Sequence, residues 1–532
     1  MNNASLVNIL IGDGPAAAEI MGMKKPGNAL RPCRTCNIKA RRRPPTEQSR
    51  QERQDEALHE SEDELQPEAL GEPQRSARNQ RRQPQTLYVP HTDYDITNLP
   101  IRTDLRGTIE EVEQARSSEF KTLFGINHSS ILLELHSVHF PRSFPVDIMH
   151  CVLQNITPQL FQLWSGSKLK IDDPRLRGDY VDHSSMPSYR MDSKAIESIS
   201  ASLAGCRADL PAYLGNAPRP IGNHYSSYKA AEWKAWLLLL GTPLLDQRLD
   251  EIYVANFRDL SQFYFLSTQH KLMEADVLHI EQLSTQFVKD YETLYYRNEP
   301  DRLPVCTVNV HSLLHFGLYI RDLGPACYWW QFVMERYCGI VKPMARSKSK
   351  MNISLSNAVV INEHLNHLRF AVWRDFGDET VPAEESLPRL LDSFKLHLTA
   401  HQRDMIQYCL GRPIEQIQGF KRCEIRRGLI VGSVQSQRKS ETNRASHRVC
   451  YRRNGSDWDF GEVQFFVDLF QFGHWAWIRA LEDIDIDKQR RVISYKRLGT
   501  LRWIRVEWIE SVIGIIREGG VALIVTDFDL FD

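Results

Sequence analysis

The sequence predicts a mixed fold: a short α/β piece, then a long mainly α-helical region, then a small all-β, barrel-like C-terminal domain. Three observations predict it. Residues 6–12, LVNILIG, are a strand-like apolar run that turns through DGPA into the helical AAAEIMGM. Through the middle of the chain apolar residues recur every three or four positions. After about residue 425 the period drops to two.

In the first element Ala17, Ile20 and Met21 share one side of the helix, and Asp13 stands where strand becomes helix. That position can aim a carboxylate into a site at a sheet edge. It can equally serve as a plain helix N-cap. From Arg41 to Gln85 the chain is dense in charge, Gln and Pro and nearly free of aromatic and β-branched residues. Such a segment buries too little apolar surface to offset its ordering entropy, so it reads as a disordered linker. Its basic ends suit DNA backbone, a nuclear localisation signal, or simple solvation.

Order returns at LYVPHTDYDITNLPIRT, an extended Pro-containing stretch. Residues 107–124 read as one helix with Val112, Ala115, Phe120 and Leu123 on a broad face. After FPRSFPVDIMH, Thr157 and Pro158 supply the N-cap and first position of a long helical region. Within it, Trp233, Trp236, Leu237 and Leu240 form one stripe, and Leu283, Phe287, Tyr291, Leu294 and Tyr295 another. Stripes at helical spacing read as core rather than as platforms for bases. Further helical stretches carry Val310, Leu313, Leu314 and Leu318, and then Ala358, Ile361, Leu365 and Leu368. RGLIVGSV, FGEVQFFVDLF, HWAWIRAL, RVISYK, RWIRVEWI, SVIGII and ALIVTDF are short β segments with turn residues between them, fitting a barrel or sandwich. The expected divisions are 1–40, 41–85, 86–300, 301–400 and 425–532.

The bulk numbers narrow the function classes. With 532 residues, 42% hydrophobic and 25% charged, the chain is of ordinary globular composition. A net charge of −1 leaves nucleic-acid contact to local basic patches. No apolar run approaches a membrane span, the longest being short stretches such as Trp236–Leu240, and the first residues carry no signal-peptide pattern. Nucleus or cytosol is the expected compartment.

Ten cysteines are too sparse for a disulfide scaffold. Only Cys33 and Cys36, in CRTC, form a close pair. With Asp147 and His150 they make a ligand set acceptable to a structural Zn²⁺. His128 and His136 are rival fourth ligands, and reduced cysteines packed in a turn are the alternative. His311 and His315, four apart on a helix, have a chelating spacing but no evident third ligand nearby; buried, hydrogen-bonded histidines are the other reading. Arg346, Lys348 and Lys350 suit phosphate contact or a solvated loop.

Three islands, in order, resemble the fungal-type CACTA (En/Spm) DNA transposase family. They are GDGPAAAEIMGMKKPGNALRPCRTC, FPRSFPVDIMHCVLQNITPQLFQLW, and the segment from LPVCTVNVHSLLHFGLYIRDLGPACYWWQFVMERYCG onward. The third is similar to a domain of unknown function that accompanies these transposases, with its two histidines one residue further apart. The resemblance implies a partial RNase H-like α/β core with a large helical insertion, and two-metal DNA cleavage and strand transfer using Mg²⁺. It implies Asp13 as the second catalytic acid and Glu335, in MERYCG, as the third, brought together in space. It also implies transposon-end DNA as partner, a homo-oligomer, nuclear location and no small-molecule substrate, while the ligand chemistry predicts that Cys33 and Cys36 approach Asp147 and His150. The family's first Asp lies well upstream of the second, and none of the twelve residues before Asp13 is acidic. The expectation is therefore an N-terminally truncated transposase that does not cleave or join DNA by itself. A non-catalytic domesticated DNA- or protein-binding protein is the alternative.

Overall fold

The computed structural model describes residues 10–25, 28–42, 87–103, 105–135, 137–166, 189–345, 349–376, 387–414, 417–437, 444–452, 457–518 and 520–527. Most of the expected first strand and of the expected disordered linker lies outside them. Two compact units interleave along the sequence, one of residues 1–188 with 259–331 and one of 189–258 with 332–532.

In the first unit the helix Gly14–Ile20 is capped by Asp13, whose Oδ1 accepts the Ala16 amide at 2.7 Å. Ala18, Met21 and Met23 pack against Ile109, Val112, Ile126 and Phe144. Gly22 has φ +72°, and a Cβ there would meet the His128 carbonyl oxygen at 2.0 Å, so only glycine fits the turn. The strands β1 (Arg41–Arg42) and β2 (Leu87–Tyr88) form a two-residue antiparallel ladder.

Two helix expectations are corrected here. Residues 107–124 are not one helix but two, Leu105–Ala115 and Ser118–Phe124. Arg116 has φ +49°, and Ser117 caps the second helix by accepting the Glu119 amide. Val112 is buried as expected, whereas Phe120 is exposed. The helix expected to open at Thr157 begins earlier, as a wide π-type stretch over Met149–Ile156 that runs into Thr157–Trp164. The cap is Asp147, not Thr157, because its Oδ2 accepts the His150 amide at 2.9 Å. The aromatic stripe of Leu283, Phe287, Tyr291, Leu294 and Tyr295 is buried throughout, and the Trp164 indole donates to the Tyr295 hydroxyl at 2.8 Å. Each such side chain contributes about 1.5–3 kcal/mol of apolar burial.

In the second unit Trp233, Trp236, Leu237 and Leu240 are also buried. Its strands are β3 (Arg389–Phe394), β4 (Gln418–Arg426), β5 (Leu429–Val431), β6 (Arg448–Tyr451), β7 (Asp459–Asp468) and β8 (His474–Glu482). They continue as β9 (Asp485–Asp487), β10 (Val492–Tyr495), β11 (Arg497–Arg505), β12 (Ile509–Val512), β13 (Gly514–Glu518) and β14 (Val521–Val525). β3 and β4 start upstream of residue 425, where the β region was expected to begin.

The strands pair antiparallel and do not form a closed barrel, one of the two forms expected. One path runs β11-β8-β7-β4-β3, with β5 on β4 and β6 joining β7 to β12; a second sheet runs β13-β14-β10-β9. Among the described residues no ladder joins β3 to β11. The cause lies in β7, whose first half pairs with β6 and whose second half pairs with β4. A bulge between Val463 and Phe465 shifts the register. It flips the side-chain phase, so Val463 and Phe466 enter one core cluster while Phe465 and Val467 join Trp475, Trp477 and Trp503 in another. The helix Ala400–Leu410 covers the latter through Ile406.

The helix expected near Ser356–Phe370 is present as Met351–Phe376, but Ile361, Leu365 and Leu368 on it are exposed. Among the described residues no helix is long and apolar enough to cross a membrane.

Candidate metal centre

The CRTC loop is held by the extended segment that follows the linker. Cys36 bridges Ile101, the Asn37 amide donates to the Pro100 carbonyl, and the Arg102 amide donates to the Thr35 carbonyl. The side chain of Arg102, only 4% exposed, reaches under the loop. Its Nε donates to the carbonyls of Cys33 at 3.0 Å and Cys36 at 3.2 Å, and its Nη2 donates to that of Arg31 at 3.1 Å. A guanidinium can serve several carbonyls at once, and this one sets the loop's curvature so that both sulfurs point inward.

Opposite the loop, the helix Val308–Ser312 and the turn Leu313–His315 present His311 and His315. Cys33 Sγ lies 3.3 Å from His315 Nε2, and Cys36 Sγ lies 3.2 Å from His311 Nε2. The two imidazole Nε2 atoms are 3.1 Å apart. All four ligand atoms fall within 4.8 Å of one another, and all four residues are buried. A tetrahedral ion with bonds of about 2.3 Å to sulfur and about 2.0–2.1 Å to nitrogen separates S from N by about 3.5 Å and N from N by about 3.3 Å. The observed spacings are a few tenths of an ångström shorter, so a small outward shift of the side chains accommodates a metal.

The surroundings suit that use. The Thr35 amide donates to Cys33 Sγ at 3.3 Å, and the Ile38 amide donates to Cys36, the pattern that stabilises sulfur charge in a Cys-x-x-Cys turn. Burial pushes the Cys33 thiol up, but the hydrogen bond with Cys36 and the charges of His315 and His311 outweigh it and hold Cys33 well below the usual thiol range. Cys36 shifts the other way overall, because burial and then its hydrogen bond with Cys33 both push it up. Burial also lowers His311, favouring the neutral imidazole that ligates metals. The Tyr94 hydroxyl sits 2.7 Å from His311 Nδ1, so with Nε2 turned to the thiols the Nδ1–H donates to the phenol oxygen. Thr35 Oγ1 bonds the Tyr319 hydroxyl at 2.6 Å. His315 Nδ1 is buried without a hydrogen-bond partner among the described residues.

The remaining sequence-based candidates go elsewhere. Asp147 and His150 were expected beside the cysteines, but the converged set is completed by His311 and His315 instead. Asp147 Oδ2 bonds His150 Nδ1 at 2.6 Å, and its Oδ1 accepts the Gln331 amide at 2.9 Å, so its oxygens are spent on capping and bracing. Of the rival ligands, His128 is exposed and bonded to the Ser129 carbonyl, and His136 lies outside the described residues. Asp13 is the helix cap described above, in the first unit, while Glu335 is an exposed residue of the helix Phe332–Val341 in the second. Among the described residues no carboxylate group converges as Mg²⁺ would require. Arg346 and Lys348 lie outside the described residues, and Lys350 is exposed.

Sequence reasoning found the two half-sites and missed Tyr94 and Arg102. The available signal was an arginine and a tyrosine inside the otherwise apolar, Pro-punctuated segment after the linker. Compared with protein-family models, curated proteins and solved structures, the chain shows no match.

Proposed function

We propose that this chain is a zinc-stapled DNA-binding protein of CACTA transposase type. The observation that carries the reading is the Cys33–Cys36–His311–His315 cluster. It ties the cysteine pair of the first family-like island to the histidine pair of the third, so two of the three islands that carry the resemblance meet in one site. Two thiolates and two imidazoles select a borderline-soft ion such as Zn²⁺ over Mg²⁺. Four buried protein ligands leave no open position for water or substrate, which makes the centre structural. The ion would cross-link segments nearly three hundred residues apart, with Arg102 and Tyr94 holding the ligands in place.

The geometry favours the binding form of this reading over strand transfer. Asp13 is engaged as a cap, and the donor set that does converge is not one for Mg²⁺. The RNase H-like core and the DNA partner rest on the resemblance.

The test has two arms on the purified full chain. Elemental analysis is expected to find one zinc per chain, lost in Cys33→Ser. Fluorescence anisotropy with a terminal-repeat duplex is expected to show salt-dependent binding that weakens on zinc chelation. Absence of zinc refutes the staple; absence of duplex binding at low salt refutes the DNA reading.

A further inference from the structure

The second unit contains a cavity of about 600 Å³ at β4, β5 and the turn after them, and all ten residues lining it are polar or charged. That volume suits a nucleotide-sized ligand. Ser433 and Ser446 supply hydroxyls, while Ser436 Oγ donates to the Ser433 carbonyl at 2.7 Å and braces the turn; Lys421, Arg444 and His447 supply cationic or donor groups. The hydroxyls crowd the backbone: a Cβ on Gly432 would come within 2.6 Å of Ser446 Oγ and 2.8 Å of Ser436 Oγ. Ser433 is fully buried, and its Oγ has no hydrogen-bond partner among the described residues. A buried hydroxyl left in that state is a donor awaiting an acceptor.

The charges leave the same need unmet. Asp392, the cavity's acid, is ion-paired to Arg422. Arg444 donates from Nε to the Leu210 carbonyl at 2.7 Å and from Nη2 to those of Pro211 at 3.0 Å and Gly215, and among the described residues no carboxylate pairs with its charge. Burial and then the nearby Arg207 both disfavour that charge. Lys421 makes no ion pair among the described residues, and Gln437 holds His447 at 2.6 Å.

We propose that this cavity binds a phosphate ester, its oxygens taken by the serine hydroxyls, Lys421 and Arg444. A tetrahedral oxyanion accepts from several directions at once, which a cluster of hydroxyls and cations provides and a planar carboxylate would not use fully. The ester comes from a small phosphorylated molecule or from a nucleic-acid backbone; the second source rests on the DNA-binding reading above.

The experiment titrates the full, zinc-loaded chain with inorganic pyrophosphate by calorimetry and with a labelled oligodeoxynucleotide by anisotropy. Wild type, Lys421→Glu, Lys421→Arg and Ser446→Ala are compared, with circular dichroism confirming the fold of each. Loss of one charge-assisted contact is expected to weaken binding about tenfold or more in Lys421→Glu. Lys421→Arg should retain most of the affinity, and Ser446→Ala should lose part of it. Effects confined to pyrophosphate identify a small ester, and effects confined to the oligonucleotide identify the backbone. If neither probe binds, or if folded Lys421→Glu binds both as wild type does, the proposal is overturned. Oligonucleotide binding that persists unchanged in Lys421→Glu, with pyrophosphate binding absent or equally unchanged, would overturn it while leaving the DNA reading intact.

Discussion

Cys33 Sγ lies 3.3 Å from His315 Nε2 although 282 positions separate the two residues. A contact of that sequence separation closes a very large loop, and without a bond across it the entropy of closure must be offset by packing alone. Zinc binding converts the contact into a cross-link whose formation is coupled to folding. Cys33→Ser and His315→Ala are each expected to lower unfolding stability by about 3 kcal/mol or more in the zinc-loaded protein. Urea titrations of wild type with and without chelator should show the same loss.

Arg102 gives a second prediction. Its guanidinium is buried and donates to the carbonyls of Arg31, Cys33 and Cys36. Arg102→Ala leaves those acceptors buried and unpaired, with an expected loss of about 3–5 kcal/mol. Arg102→Lys keeps a charge but not the fork, and should fall between the two. Zinc affinity measured by competition with a chromophoric chelator should drop in both variants, more in the alanine.

Glu462 gives a pH dependence in the β region. Burial raises this carboxyl, but His447, 3.7 Å away, and the hydrogen-bonded Arg448 outweigh it and hold Glu462 at about 2, against an ordinary 4.5. Arg448 Nε donates to Glu462 Oε1 at 2.9 Å. Because the folded value is depressed, the stabilisation is complete above about pH 4.5 and is lost as pH falls from there towards 2. Unfolding measured across that window should show wild type losing stability more steeply than Glu462→Gln. Parallel curves for the two proteins would contradict the assignment.

A fourth prediction contrasts two helices of similar apolar character. Phe287 is fully buried, so Phe287→Ala should cost about 3–5 kcal/mol. Leu365 and Leu368 are 47% and 61% exposed on the helix Met351–Phe376, so alanine at either should change monomer stability by less than about 0.5 kcal/mol. Chemical denaturation of the three variants decides between core and surface roles.

These cases also show what was legible in the sequence. The aromatic stripe around Phe287 and the alternating strands were readable because their spacing is local and a buried face enforces it. The same spacing at Ile361, Leu365 and Leu368 marks a helix correctly but cannot say whether anything covers it. The break at Arg116 escaped periodicity because a single residue of positive φ interrupts an otherwise continuous pattern. The open sheet was hidden by one bulge in β7, which reverses the facing of every later residue on that strand.

At the metal centre each half was visible, CRTC by its spacing and His311 with His315 by theirs. Which halves meet is a property of the tertiary fold, and the sequence offered Asp147 and His150 as a closer pair of equal chemical merit. They are a capping pair because Asp147 stands at the head of a helix whose amide needs an acceptor. A carboxylate and a histidine three apart look alike in both roles.

The most direct test of the central claim is the zinc K-edge absorption spectrum of the full-length protein as purified. The expected result is a four-coordinate shell of two sulfurs at about 2.3 Å and two imidazole nitrogens at about 2.0–2.1 Å. A spectrum with no zinc edge, or with a zinc shell free of sulfur, would contradict the account.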